Sequence, residues 1–517
     1  MSDVTTIEAD VPERYADAVQ TRLRRAADED VVGRIWRKDG TLWAPEGTPE
    51  VTNRLGWLDI AERSREQLAE YEALRDEVLN EGYTDAIVLG MGGSSLAPEV
   101  FRLSFGHADG GLKLHVLDST HPAEVAKYLD ALDLDKTVAI VSSKSGGTIE
   151  PMSMYKAFSA RMDGTHFVAV TDPGTSLENL GSRAGFRRVF HGDPDIGGRY
   201  SALSAFGLVP AVLAGYDVAA VLDGAITAGE ECRSEFGGNG GLWLGAALGE
   251  LARAGRDKLT FVADAPLTSY GVWAEQLFAE STGKHGTGIL PIADEPLLAP
   301  DAYGDDRVFL HVALNDGPHA SKLRALKEAG HPVITLRALG PTDLGRIFYL
   351  SEFAVAVAGW VLEINPFDQP NVQEAKDNTT RVLKEGSGDV QAGTLSELTD
   401  GLEPPAYYAI MGYLPYSEDT ENAVARVRQK LIEAHQVATT WGYGPRFLHS
   451  TGQFHKGGPK TGRFLQIVDE PERDLEIPGE SFTFATLIRA QADGDLETLR
   501  SHGLPAVRID VKDLKEL

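Results

Sequence analysis

The sequence predicts an α/β chain built from two doubly wound parallel-sheet units, with a helical N-terminal segment ahead of them and an α/β section after them. Three observations predict it. Short β-branched apolar runs alternate with stretches of helical period, the pattern of parallel sheets. These runs fall into two series separated by the glycine-rich stretch Gly237 to Gly241. Two runs of the first series feed straight into turns of glycine and serine. Residues 1–80 are polar and charge-rich and are expected to be helical. The first series, in residues 81–236, has candidate strands at 85–90, 112–118, 137–143 and 166–172. The second, in residues 242–390, has them at 258–264, 307–313 and 331–336. The Gly237 to Gly241 run between the two reads as a flexible junction. Residues 391–517 open as loop and then resume with a helix over 422–436 and strands near 463–468 and 506–511.

A chain of 517 residues exceeds what one hydrophobic core serves. Acidic residues number 77 against 49 basic ones, a net charge of −28. This speaks against nucleic acid or an anionic membrane as a partner, so any phosphate must be held locally. The one cysteine, Cys232, excludes an intrachain disulfide and suits a reducing compartment. The start MSDVTTIEAD has no basic n-region or apolar h-region, so a cytoplasmic setting is expected. The longest apolar stretch, Phe353 to Leu362, falls short of the ~20 residues a membrane helix needs.

Two loops carry the first chemical signal. In VLGMGGSSLAPE the strand ends in Gly90, Gly92, Gly93, Ser94 and Ser95 before a helix, where backbone amides and aligned dipoles stabilise an anion. A dinucleotide site is the rival, encouraged by Asp118 at the end of the next strand, but Ser95 stands where the third glycine of GxGxxG belongs. A structural turn is the third reading. In VSSKSGGTIEP, Ser143, Lys144, Ser145 and Thr148 surround two glycines, donors enough for a phosphoryl group without a metal. Following successive strands, the two loops form one predicted phosphate cradle.

GMGGSSLAP and SKSGGTIEP resemble the paired sugar-phosphate loops of the glucose-6-phosphate isomerase family. Three more stretches extend the resemblance in the family's order: IGGRYSALSAFGL (196–208), QLFAESTGKHGTGILP (276–291) and INPFDQPNVQEAK (364–376). The resemblance implies sugar-isomerase (SIS) type domains, Glu280 as the base that moves a proton between C2 and C1, and Gln276 and Gln369 as substrate contacts. It also implies Lys376 as an aid at the ring oxygen and Arg199 as the cation that stabilises the enediolate. Such a base needs a partly desolvated carboxylate.

The sequence departs from the family at the ring-opening histidine, expected between Glu280 and the FDQ segment. Tyr303 stands there; His311 reads as core, and His285, His319 and His331 lack the surrounding motif. The missing wording occurs later, in FLHSTGQFHKGGPKTGRFLQIV (447–468), with His449 and Gln453 four apart as on one helix. This section resembles the isomerase half of transaldolase/glucose-6-phosphate isomerase fusion proteins. The expectation is that the segment has been relocated to the C-terminus and that His449 closes the site, with His455 as the substitute.

The implied reaction interconverts glucose 6-phosphate and fructose 6-phosphate through a cis-enediol, with Gly93, Ser94, Ser143, Lys144, Ser145 and Thr148 at the phosphate. A small sugar phosphate is the one expected partner, no cofactor or metal is called for, and a homodimer is the assembly the resemblance suggests testing. The alternatives are a non-catalytic sugar-phosphate regulator, a bifunctional glucose/mannose phosphate isomerase and a dinucleotide oxidoreductase.

Overall fold

A computed structural model describes residues 7–235, 237–314, 317–386 and 394–516. Among them lie three sheets. The first is all-parallel, with strand order 113–117, 85–89, 137–142, 167–171 and 188–191. Chain order reverses between strands Asp85–Leu89 and Thr137–Ser142, which pair at Ile87 and Ala139. The crevice beyond the carboxyl ends of two such strands is where open α/β sheets bind ligands, and both glycine-serine loops leave from there.

The second sheet has the order 7–10, 333–338, 307–314, 258–263 and 290–292. Its edge strand Ile7–Asp10 runs antiparallel, so the N-terminal segment opens with a strand before its helices Glu13–Asp28, Val31–Trp36 and Ile60–Asn80. The C-terminal section holds a third, wholly parallel sheet in the order 438–443, 407–413, 462–468 and 506–510. Strands Tyr407–Tyr413 and Ala438–Tyr443 fall in text that reads as loop, because YYAIMGY and ATTWGY mix aromatic, glycine and threonine residues without a β-branched run.

The glycine run is only half a junction. Gly237 and Gly238 take positive φ, but the Asn239 side chain accepts from the Leu242 amide at 2.8 Å and starts helix Gly240–Arg253. That helix lies against helix Leu344–Leu362 at glycines: a Cβ on Gly245 would sit 2.3 Å from the Ala354 carbonyl oxygen, and one on Gly249 would sit 2.6 Å from Val361. The apolar stretch is also longer than its sequence suggests. Residues 341–362 form a helix long and apolar enough to cross a membrane, yet it is buried inside the protein. Trp43 Nε1 donates to the Ala356 carbonyl at 2.8 Å and the Tyr349 hydroxyl to that of Leu58 at 2.8 Å, tying the N-terminal segment over it.

Within that helix Glu352 is 0 % exposed, and among the described residues neither carboxyl oxygen has a hydrogen-bond partner. Burial drives its pKa well above the usual carboxylate range, so it is folded as the neutral acid. The unfolded side chain ionises above pH ~4.3. Stability is therefore lost as pH rises past that value, until the folded group would itself ionise. Glu352→Met is expected to stabilise the protein by about 1–3 kcal/mol at pH 7, with a larger gain at pH 8 than at pH 5 in urea unfolding. A variant less stable than the parent would mean that the carboxyl has a partner in solution.

Candidate active site

Helix Tyr270–Thr282 is buried on nearly every side. Its residues YGVWAEQLFAEST are mostly apolar, which is what a helix enclosed by two sheets and a helix layer requires. Gln276 and Glu280 stand one turn apart on it and are 4 % and 7 % exposed. Burial raises the Glu280 pKa, opposed in order by the Arg199 guanidinium, His449, the Gln276 amide and Lys284. The balance is a carboxylate of increased basicity beside a permanent cation, 3.3 Å from Arg199 Nη1.

Arg199 sits on the one-turn helix Gly198–Tyr200 and is 1 % exposed. Its Nε donates to Ser281 Oγ at 2.8 Å, and Nη1 donates to Gln369 Oε1 at 2.7 Å as well as to Glu280. Nη2 donates to the carbonyls of Pro366 at 2.7 Å and Asp368 at 3.0 Å. The planar fork thus joins helix Tyr270–Thr282 to residues 366–369. Lys284 grips the same segment through the Asn365 carbonyl at 2.7 Å and the Asp368 carboxylate at 2.5 Å. Burial, then the Arg199 charge, pull the Lys284 pKa down to about 8.

The first loop is packed into this centre. Gly92 has φ +55°, and a Cβ there would come 3.0 Å from both Gln276 Nε2 and His449 Cβ. A Cβ on Gly93 would lie 2.0 Å from the Gly198 carbonyl oxygen, so the loop rests directly on the turn that carries Arg199. Ser94 is buried, and Ser95 donates to Asp118 at 3.4 Å. Asp118 itself is taken by Arg446, at 2.7 and 3.1 Å, and by the Tyr416 hydroxyl at 2.7 Å. The acid that encouraged a dinucleotide reading is therefore already occupied.

The second loop ends at helix Ile149–Ser159, whose N-cap Thr148 makes no side-chain capping bond. The first amides of a helix have no acceptor within it. This N-terminus therefore offers amide donors, the Thr148 hydroxyl and a favourable dipole to an anion. Ser143 donates to Thr148 at 3.1 Å, and Ser145 shares a 3.3 Å hydrogen bond with it. Lys144 is engaged elsewhere, by the Asp172 carboxylate and the Asp193 carbonyl. A cavity of about 210 Å³ lies over this loop, lined by Ser145, Thr148, Glu150, Thr380, His449 and Gln491 among others. Three larger cavities, of about 330, 480 and 370 Å³, hold none of the predicted site residues.

His449 belongs to both groups. Its carbonyl accepts from Gln276 Nε2 at 2.8 Å, and its ring Nε2 lies 3.0 Å from Glu150 Oε1. It does not share a helix with Gln453 as the spacing suggests. His449 ends the one-turn helix Arg446–His449, and Gln453 lies in Gly452–Gly457 after a break at Ser450. Gln453 Nε2 instead holds the Gly283 carbonyl at the end of helix Tyr270–Thr282 at 2.9 Å. The substitute His455 is buried against the Tyr407 hydroxyl at 3.0 Å, and its pKa is pushed down to about 3, first by burial. It is a neutral core group. Tyr303 is bonded to the Pro296 carbonyl and the Leu298 amide, and His311 pairs with Asp264.

Of the predicted residues, Glu280, Arg199, Gln276 and Gln369 come together with Gly93 and His449, while Ser145 and Thr148 line the cavity that His449 shares. Ser143 stands behind Thr148. Lys376 falls on helix Val372–Glu385, and its side chain lies outside the described residues. Two residues escape the sequence reading. Glu150 reads as an ordinary acid in a first helical turn, and Lys284 as a turn residue; only their partners reveal them.

The phosphoglucose isomerase family profile matches residues 78–285. A glucose-6-phosphate isomerase from Rubrobacter xylanophilus is 30% identical over 374 residues, 61% of this chain and 86% of its own length. The chain belongs to the phosphoglucose isomerase family. A second relative within it, the glucose-6-phosphate isomerase of Citrifermentans bemidjiense, is 28% identical over 459 residues, covering 74% of this chain and 83% of its own. Among solved structures, a hypothetical protein from Thermus thermophilus superposes with a TM-score of 0.60 at 25% identity, over 73% of this chain and 99% of that one. A glucose-6-phosphate isomerase from Chlamydia trachomatis gives 0.60 at 20% identity, over 71% and 86%, and shares the fold.

The raised Glu280 pKa fixes the sign of one pH effect. Taken as the base that the sequence resemblance implies, Glu280 must be ionised, so activity falls as pH drops through its pKa, and burial moves that limb above the ~4.3 of a free glutamate. Arg199→Met removes the largest opposing influence. Its acid limb is expected at still higher pH than the parent's in a kcat/KM profile, with kcat reduced about a hundredfold or more. An acid limb that shifts downward would contradict this electrostatic account.

Proposed function

We propose that this chain interconverts glucose 6-phosphate and fructose 6-phosphate, with Glu280 as the proton-transfer base, Arg199 as its electrostatic partner and His449 as the ring-opening group. The observation that carries the proposal is the position of His449, bonded through its carbonyl to the helix of Glu280 and through its ring to the loop of Ser145 and Thr148. A phosphate at the uncapped helix end and a carbon atom at the base would be held by one frame. Anchoring the remote charged group orients the reacting carbons.

His449 Nε2 faces a carboxylate, which accepts and does not donate. Nε2 therefore carries the hydrogen, and Nδ1 is left with the lone pair that can exchange a proton with the ring oxygen. In the opened aldose, Glu280 takes the C2 proton and the C–H electron pair becomes the C1–C2 double bond of the enediol. The carbonyl oxygen gains negative charge near Arg199. All five Arg199 N–H groups have protein acceptors, so its help comes from its charge held in place, with no rearrangement at the moment of reaction. Glu280 then returns the proton to C1, which binds it with the electron pair of the double bond, while the C2 hydroxyl gives up its proton, which ends on O1, so that C2 becomes the carbonyl and C1 carries the alcohol.

The relocation of the histidine segment is part of this proposal. The family profile ends at residue 285, ahead of the stretch where the histidine is missing, and His449 arrives at the site from the third sheet.

The test is conversion of fructose 6-phosphate to glucose 6-phosphate. Glu280→Gln is expected to lose at least about a thousandfold in kcat. His449→Ala is expected to lose turnover of the cyclic sugar while sparing proton exchange on an open-chain analogue. Equal damage to both activities would remove ring opening from His449, and an active Glu280→Gln variant would overturn the proposal. Thr148→Val, which keeps the shape of the side chain and deletes its hydroxyl, should raise KM more than it lowers kcat.

A further inference from the structure

Behind the His449–Glu150 contact stands a residue to which no motif points. Gln491 lies on helix Phe484–Ser501, is 1 % exposed and lines the cavity beside His449. Its Nε2 donates to Glu150 Oε1 at 2.8 Å, the same oxygen that His449 Nε2 reaches at 3.0 Å. Its Oε1 accepts from the Thr120 hydroxyl at 2.6 Å, and Thr120 is 0 % exposed just past strand Lys113–Leu117.

We propose that Gln491 is a positioning residue for ring opening, holding Glu150 Oε1 where it fixes the tautomer and orientation of His449. This rests on the reading of His449 as the ring-opening group. The chain of donors runs one way. Glu150 as a carboxylate only accepts, so the Gln491 amide must present its NH2 to it, and the amide oxygen must face Thr120, whose hydroxyl supplies the hydrogen. An amide flipped by half a turn would set oxygen against oxygen at Glu150. Thr120 therefore locks the amide, the amide locks one carboxylate oxygen, and that oxygen holds His449 Nε2–H. The imidazole keeps Nδ1 as its basic nitrogen because its other nitrogen is bonded in this way.

The arrangement also spans the molecule. Thr120 and Glu150 belong to the first sheet's loops, whereas His449 and Gln491 belong to the C-terminal section, 42 positions apart in the chain. A buried amide making a bond at each end, both to side chains of the other unit, does more than fill space. An apolar residue of equal length would pack there without the unsatisfied-donor risk that a buried amide brings.

The experiment compares Gln491→Met, Gln491→Glu and His449→Ala with the parent enzyme. Turnover of cyclic fructose 6-phosphate and proton exchange on an open-chain analogue are measured from pH 5.5 to 8.5, with thermal unfolding as a check on folding. Gln491→Met should lower kcat on the cyclic sugar by about tenfold, the low end of what losing an outer partner of a functional imidazole costs, and leave open-chain exchange within about twofold. Gln491→Glu places a second carboxyl against Glu150. Protonated it can donate as the amide does, and ionised it cannot. Its cyclic-sugar activity should approach the parent's at the acid end and fall away as pH rises, a dependence that loss of packing would not produce. Parent-like ring opening in Gln491→Met, or equal loss of both activities in either variant, overturns the proposal. If His449→Ala itself keeps full ring opening, the underlying reading fails instead. If His449→Ala loses it and Gln491→Met does not, only the role of Gln491 falls.

Discussion

The buried guanidinium of Arg199 is the constraint around which the rest is arranged. A cation removed from water must find an acceptor for every N–H, because each orphaned charge-bearing donor would cost several kcal/mol. The chain meets that demand with a serine and a glutamate from helix Tyr270–Thr282, a glutamine side chain and two main-chain carbonyls from residues 366–369. Segments far apart in sequence are thereby drawn to one point. The glycine turn that presents Arg199 leaves no room over it, which is why Gly93 must lie bare against the Gly198 carbonyl. The low-dielectric surroundings that make Arg199 demanding also make Glu280 basic. One act of burial supplies both.

Much of this was legible in the sequence, for a physical reason. Parallel strands buried on both faces leave continuous apolar runs, and AIVL, TVAIVS and FVAVT each appear as strands within a residue or two of their expected ends. Loops rich in glycine and hydroxyl groups leave compact wording, so Ser145, Thr148 and Gly93 could be singled out without a structure. Edge and aromatic strands were not legible. Ile7–Asp10 is four residues long with only Ile7 partly covered, and Tyr407–Tyr413 mixes tyrosine with glycine.

The site was legible in its residues and illegible in its partnerships. Nothing in the spacing shows that Lys144 is spent on Asp172, that His449 and Gln453 part company at Ser450, or that Glu150 faces the histidine. These depend on contacts 28 to 299 positions apart. His455 shows the same limit from the other side. It shares a short stretch with His449, but its contact with Tyr407 makes it a core residue.

The junction of the third sheet with the second has a mechanical meaning. Glu295, ion-paired with Arg307 in full burial, also accepts from the Thr439 amide and hydroxyl, and Arg307 donates to the Val437 carbonyl. Arg428 reaches back from the C-terminal section to the carbonyls of Ala293 and Asp294, and Leu290 and Ile292 share a core with Tyr407 and Phe464. Swinging this section aside as a door would wet an ionic cluster and a greasy seam together. The two modules must travel as one block. Opening at this seam is therefore costly, whereas Ser145 and Gly147 stand exposed on a loop, where local adjustment costs least.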